Sequence, residues 1–149
     1  MSVEAVISRL NYLCQHIPGH LKLISEDHFN LQPAPGKWSK KQMLGHLIDS
    51  AANNHHRFIR AQFEDTPAIV YQPDWWNVHG HYTSMETAHL IHFWTIYNQH
   101  LALLIAALPN NCLNRLIDTG GPQPVTLSFV IEDYLAHLEH HLKALLGDY

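Results

Sequence analysis

Residues 127–146 read LSFVIEDYLAHLEHHLKALL. Within them Leu127, Ile131, Tyr134, Leu138, Leu142 and Leu145 recur at the three- and four-residue spacing of a helix with one buried face. Each residue turns a helix by about 100°, so the remaining side chains can be placed against that face. His141 falls roughly 60–70° from its centre and His137 roughly 100–110°, both to the same side, whereas His140 points almost directly away. His137 and His141 therefore stand one above the other on the flank of the buried face, and His140 belongs to the surface. The helical metalloprotease signatures HExxH and HxxEH are both absent, because Glu139 sits far round the helix from the pair.

Three further stretches share this periodicity. The first carries Val3, Val6, Ile7, Leu10, Leu13, Cys14 and Ile17, and is expected to stop at Pro18-Gly19. The second runs from about Ser39 to Phe63 and opens with Ser39-Lys-Lys-Gln42, a capping box in which hydroxyl and amide satisfy free backbone N–H groups. The third runs from about Met85 to Leu108, with Leu90, Trp94, Tyr97, Leu101, Ile105 and Leu108 on one face and Ser84 as expected N-cap. The connections LQPAPGKW, EDTPAIVYQPDWWNVHGHYT and LPNNCLNRLIDTGGPQPVT are rich in helix breakers. No alternating run is long enough to build a sheet. Four amphipathic helices in one small domain, residues 1–149, predict an all-α four-helix bundle. The two later connections are long enough for a crossover, and Trp75, Trp76, His79, His81 and Tyr82 are placed to roof a pocket at one end.

Composition narrows the function classes. The chain has 149 residues, 15% of them charged, a net charge of −4 and 14 histidines. No basic cluster supports binding to nucleic acid. No apolar run is long enough to span a membrane, and the N-terminal stretch is amphipathic rather than a signal sequence, so the expectation is a cytoplasmic protein. Two cysteines, one on a helix face and one in a loop, do not make a disulfide framework.

A bare HxxxH pair is also satisfied by two partly exposed histidines bonded to carboxylates or water. A metal site needs a third ligand from elsewhere. In the second helix, His55 points into the apolar arc with Leu47, Ala51 and Phe58, which reads as a hydrogen-bonded core histidine. His46 lies with Asp49, Ser50, Asn53 and Arg57 on a stripe nearly opposite that arc. Periodicity therefore makes His46 solvent-facing, although such a polar line also reads as one wall of a cavity. His89, His92 and His100 read as surface residues, and the His16/His20 pair straddles the Pro-Gly break.

Two segments carry a family resemblance. PAPGKWSKKQMLGHLIDSAANNHHRFIRA, residues 33–61, resembles the Trp-Ser…His-Leu-x-Asp-Ser segment of the DinB-like superfamily, which includes the YfiT-type proteins. VIEDYLAHLEHHLKAL, residues 130–145, resembles that family's closing helix. The resemblance implies a four-helix bundle of crossover topology and a divalent metal held by His46, His137 and His141. Zinc or nickel leads among the metals, with iron or manganese next; imidazole ligands do not choose among them. It also implies a homodimer and an enzyme that joins a low-molecular-weight thiol, such as bacillithiol or mycothiol, to a small electrophilic substrate. Metal-dependent hydrolysis and metal or ligand binding without turnover are the alternatives, since no acid or base residue stands out.

Around the ligands, Asp49 and Asp133 are each one turn from a histidine, placed to accept its second N–H. Asn53 and Arg57 are read as facing the substrate, with a surface or interface salt bridge as the competing role for Arg57. Trp76 is read as a wall of the pocket.

Overall fold

The computed structural model describes residues 1–149. Four long helices dominate: α1 (Val3–Leu21), α3 (Lys40–Arg60), α5 (Thr87–Ala107) and α6 (Leu127–Leu146), with short helices α2 (Glu26–Asn30) and α4 (Pro73–Gly80) between them. A two-residue antiparallel ribbon pairs β1 (Leu116–Ile117) with β2 (Val125–Thr126) ahead of α6.

Each long helix contributes its periodic apolar residues to one core. Leu10, Leu13 and Ile17 of α1 meet Leu44, Leu47 and Phe58 of α3, Leu90, Trp94 and Leu101 of α5, and Ile131, Leu138 and Leu142 of α6. Full burial of side chains this size stabilises by about 1.5–3 kcal/mol each. Tyr134 is buried too, its hydroxyl donating to Asn98 Oδ1 at 2.6 Å.

Helix ends differ from the sequence expectations in three places. Pro18 does not stop α1; the helix runs on to Leu21, whose fully buried side chain completes the apolar stripe at the expense of one backbone hydrogen bond. Ser84 is not the cap of α5. It lies in a 3-10 turn, Tyr82–Ser84, with its hydroxyl donating to the His81 carbonyl, and Glu86 precedes the helix instead. The expected helix through Phe63 ends at Arg60, where the Arg115 guanidinium takes the Ala61 and Glu64 carbonyls at 2.5 and 2.7 Å. The capping box at Ser39 and Gln42 is present with both of its hydrogen bonds.

Packing order explains where polar groups are buried. α1 and α3 each pack against α5 and α6, so consecutive helices α1 and α3 lie diagonally, as do α5 and α6. Lys40 near the start of α3 bonds the Leu145 carbonyl at the end of α6, so those two helices are antiparallel. Lys41 reaches the Met85 carbonyl at 2.9 Å, and His55 meets Tyr97, so α3 and α5 run parallel. Parallel neighbours require the chain to return along the full bundle, about 30 Å for a helix of this length. Residues 61–86 make that return and lay α4 against α3. A polar knot fastens the far end of the crossover: buried Lys41 pairs with the exposed Glu26 at 2.5 Å, and Glu26 accepts the hydroxyl of buried Thr87 at 2.6 Å.

Candidate metal centre

The crossover covers the face of α3 that periodicity assigns to solvent. His46 is 3% exposed, Asp49 and Ser50 are 3% exposed, and Asn53 is 6% exposed. The solvent-facing reading of His46 is therefore corrected, and of the same stripe it is Asp49 that lines a hollow. α3 has two buried faces: its apolar arc on the core, and its polar stripe beneath α4, Trp38 and α6. Trp38, just before the cap, lies 4.8 Å from the His46 ring, centre to centre.

α6 brings its pair to the same place. His46 and His137 approach with Nε2 atoms 3.1 Å apart, and the ring centres of His46, His137 and His141 lie 4.5–5.0 Å from one another. One nitrogen from each lies within 4.8 Å of the others. His140 is exposed, as its direction on the helix dictates. Burial holds the His46 imidazole down to about 3 and His141 to about 4, with the neighbouring histidines adding repulsion; burial depresses His137 as well. At neutral pH all three are uncharged donors, the form a metal ion requires.

The donor set fits a divalent metal. Two nitrogens bound to a tetrahedral zinc at about 2.0–2.1 Å lie roughly 3.3 Å apart, close to the His46–His137 separation. His46 Nδ1 is buried without any hydrogen-bond partner. It is the other ring nitrogen, Nε2, that is turned toward His137.

Asp49 lies one turn along α3 from His46. Its Oδ1 accepts the Tyr82 hydroxyl, while Oδ2 is buried and unpartnered. Burial pushes this carboxyl up to about 6, against the opposing effect of the Tyr82 hydrogen bond. Tyr82 reaches it because Gly45 leaves room: a Cβ there would overlap the phenol ring. His81 adopts the left-handed region at φ 54° to turn the chain from α4 into that contact. The ring thus lies flat against α3, one turn above the carboxylate. Gly45 and Asp49 share one stripe, and a glycine a turn away from a polar cluster was the available sign that an aromatic ring covers it.

The remaining expected site residues are dispersed. Asn53 donates to the Asp49 carbonyl at 2.9 Å within its own helix. Arg57 holds the crossover, donating to the Ile69 carbonyl at 2.9 Å and to Asn54 at 3.3 Å. Asp133 is exposed and makes no hydrogen bond to His137, whose Nδ1 instead lies 3.5 Å from Ser50 Oγ. Trp76 packs edge-on against Tyr71, their ring centres 5.7 Å apart. It shares with Asp49, Trp75, His79, Gly80 and Tyr82 the lining of a hollow of about 480 Å³. A second hollow, of about 580 Å³, runs past Trp38, Lys37 and Asp74. The imidazoles line neither hollow; Trp38, which borders the second, packs on the His46 ring.

Away from this cluster, His55 is half-buried rather than in the core, its Nδ1 3.1 Å from the Tyr97 hydroxyl. The helix is unbroken between His16 and His20, but both rings are exposed and His16 is bonded to the Tyr12 carbonyl.

Comparison with known proteins places this architecture. The family model described as the DinB superfamily matches residues 13–145. YfiT from Bacillus subtilis (strain 168) is 22% identical over 134 residues, which are 86% of this chain and 75% of that protein. The solved structure of YfiT, described as a probable metal-dependent hydrolase with an unusual four-helix bundle topology, superposes with a TM-score of 0.87 over 97% of this chain and 86% of YfiT, at 19% identity. A mycothiol-dependent maleylpyruvate isomerase superposes with a TM-score of 0.79 at 13% identity; 99% of this chain is covered, but only 61% of the isomerase. A DinB-like protein from Bacillus subtilis gives 0.66 at 18% identity, over 95% of this chain and 86% of that protein.

Proposed function

Because this chain belongs to the DinB superfamily, we propose that it holds one divalent metal ion on His46, His137 and His141 and transfers a low-molecular-weight thiol to a small electrophile. The observation that carries this reading is the meeting of three uncharged, desolvated imidazoles from α3 and α6. A divalent cation on such a set keeps its full charge and supplies Lewis acidity, which lowers the pKa of a thiol or water that reaches it.

The chain's own groups do the rest. Trp38 packs on His46 and fixes its ring plane. One hollow is bordered by Trp38, which packs on His46, and another by Asp49, one turn along α3 from it; two hollows suit a reaction with two substrates. The sulfur–carbon bond forms as the thiol proton passes to solvent and either the electrophile's leaving group departs with its bonding pair or, in an addition, its π bond breaks and the resulting anion takes a proton from solvent. The donor set contains no carboxylate, so an ion held by His46, His137 and His141 would keep its full positive charge.

Hydrolysis is the second reading, and one observation favours it. Asp49 has a buried, unpartnered oxygen one turn from His46, a placement suited to accepting a proton from water. Two measurements separate the readings. Purified protein should carry about one divalent ion per chain and conjugate bacillithiol, mycothiol or another small thiol to a model electrophile, with activity lost on chelation and regained with metal. Full metal occupancy without conjugation of any thiol, but with hydrolysis of an ester or amide, would replace transfer by hydrolysis.

A further inference from the structure

The hollow bounded by Asp49 and α4 has a composition that selects ligands. Its walls are Trp75, Trp76, His79, Gly80 and Tyr82, with Asp49 at the end toward the imidazoles. Trp75 is 66% exposed and Trp76 42% exposed, a large aromatic area left open to water. Such patches are rare unless something covers them. Trp75 is stacked on His79 and Trp76 is braced by Tyr71, so both rings are held as flat walls. The volume of about 480 Å³ falls in the range of small-molecule sites.

No lysine or arginine lines this hollow. The nearest arginine on α3, Arg57, is committed to the Ile69 carbonyl and Asn54. A carboxylate ligand would meet Asp49 with no cation to offset it. Asp49 Oδ2, 3% exposed at the level of its residue, has no donor from the protein. An amine or hydroxyl on a ligand would supply one.

We propose that this hollow seats the electrophile, and that the electrophile is an aromatic or other flat apolar molecule bearing an amine or hydroxyl and no carboxylate. Its ring lies between Trp75 and Trp76, and its donor is directed at Asp49. The word electrophile rests on the thiol-transfer reading; the ligand selectivity does not. On this argument the chain is not suited to dianionic substrates, whatever other bundles of the same shape accept.

The test is binding, not turnover. 2-Naphthylmethylamine, 2-naphthylmethanol and 2-naphthoate share a ring system and differ in the polar group. They would be titrated at pH 8 by calorimetry into metal-loaded protein and into protein stripped by a chelator. In both forms the amine and alcohol should bind at least tenfold tighter than naphthoate. Trp76→Ala should weaken them at least fivefold. Asp49→Asn, which keeps an oxygen for Tyr82, should bring naphthoate within threefold of the alcohol. Naphthoate binding as well as the alcohol in either form, an unchanged order in Asp49→Asn, unchanged affinity in Trp76→Ala, or no binding of any probe at millimolar concentration would each overturn the proposal. A protein that conjugates no thiol can still pass, and an active one can still fail.

Discussion

Helix α3 carries two histidine clusters that share their chemistry and differ in their surroundings. Toward its start, His46 meets His137 and His141 of α6. Toward its end, His55 meets His100 and Tyr97 of α5, with the two imidazole centres 5.2 Å apart. In the first cluster Trp38 packs on His46, which is 3% exposed, while His137 and His141 are half-buried. The second is open: His55 is half-buried, His100 is exposed, and the third partner is a phenol. Number of histidines therefore does not make a metal site. Convergence of three nitrogens about a buried imidazole gives a donor set that could hold an ion, because burial keeps that imidazole uncharged.

The sharpest way to break this contrast is by metal content. His137→Ala should weaken retention of the ion at least a hundredfold, beyond the loss usually seen when only a supporting group is removed. His100→Ala and His140→Ala should leave it within twofold. Metal analysis after extensive dialysis decides this, and equal loss in all three variants would make the two clusters equivalent.

The second test removes the cover from one cluster only. Gly45→Ala should push Tyr82 off α3 and lower stability by about 2 kcal/mol in urea unfolding, the size expected of overpacking. Unchanged stability would mean that the crossover is not what buries the first cluster.

Paired hydroxyl deletions sharpen the comparison further. Tyr82→Phe strips a donor from a buried carboxylate and should cost about 1.5 kcal/mol, whereas Tyr97→Phe removes a hydrogen-bond partner from a half-buried imidazole and should cost about 0.5 kcal/mol. The reverse order would contradict the burial argument.

The smallest effect is in pH. In metal-free protein the folded-state values of His46 and His141, about 3 and about 4, lie below the unfolded value near 6.5, so the unfolded chain binds more protons. Stability is complete above that value and falls as pH drops toward the folded ones. Asp49, raised to about 6, works in the opposite direction over its own window but is a single group against two. The net expectation is a loss of about 1 kcal/mol between pH 7 and pH 6, read from urea midpoints. A flat profile would place the imidazoles in water.

Much of the bundle was legible in the residues alone. The apolar spacing of Leu127, Ile131, Tyr134, Leu138 and Leu142 has one helical solution, and the Ser39–Gln42 box marks a helix start by local chemistry. The direction of His137, His140 and His141 followed from rotation per residue, because a helix fixes the angle between side chains a few positions apart. Pro18 and Ser84 misled for a matching reason: local signals yield where a buried side chain such as Leu21, or a tight turn into α5, is worth more.

The site divides along the same line. Periodicity within one helix sees one buried face, and so it set His55 inside and His46 outside. Only the packing of α3 parallel to α5 required a crossover long enough to run back over α3, and that covering strand of chain gave the helix its second buried face. Likeness to a family pointed to His46, but the desolvation of His46, Asp49 and Asn53 comes from tertiary contacts. Residues far apart in the chain supply the covering groups, and within residues 40–60 Gly45 alone hints at them.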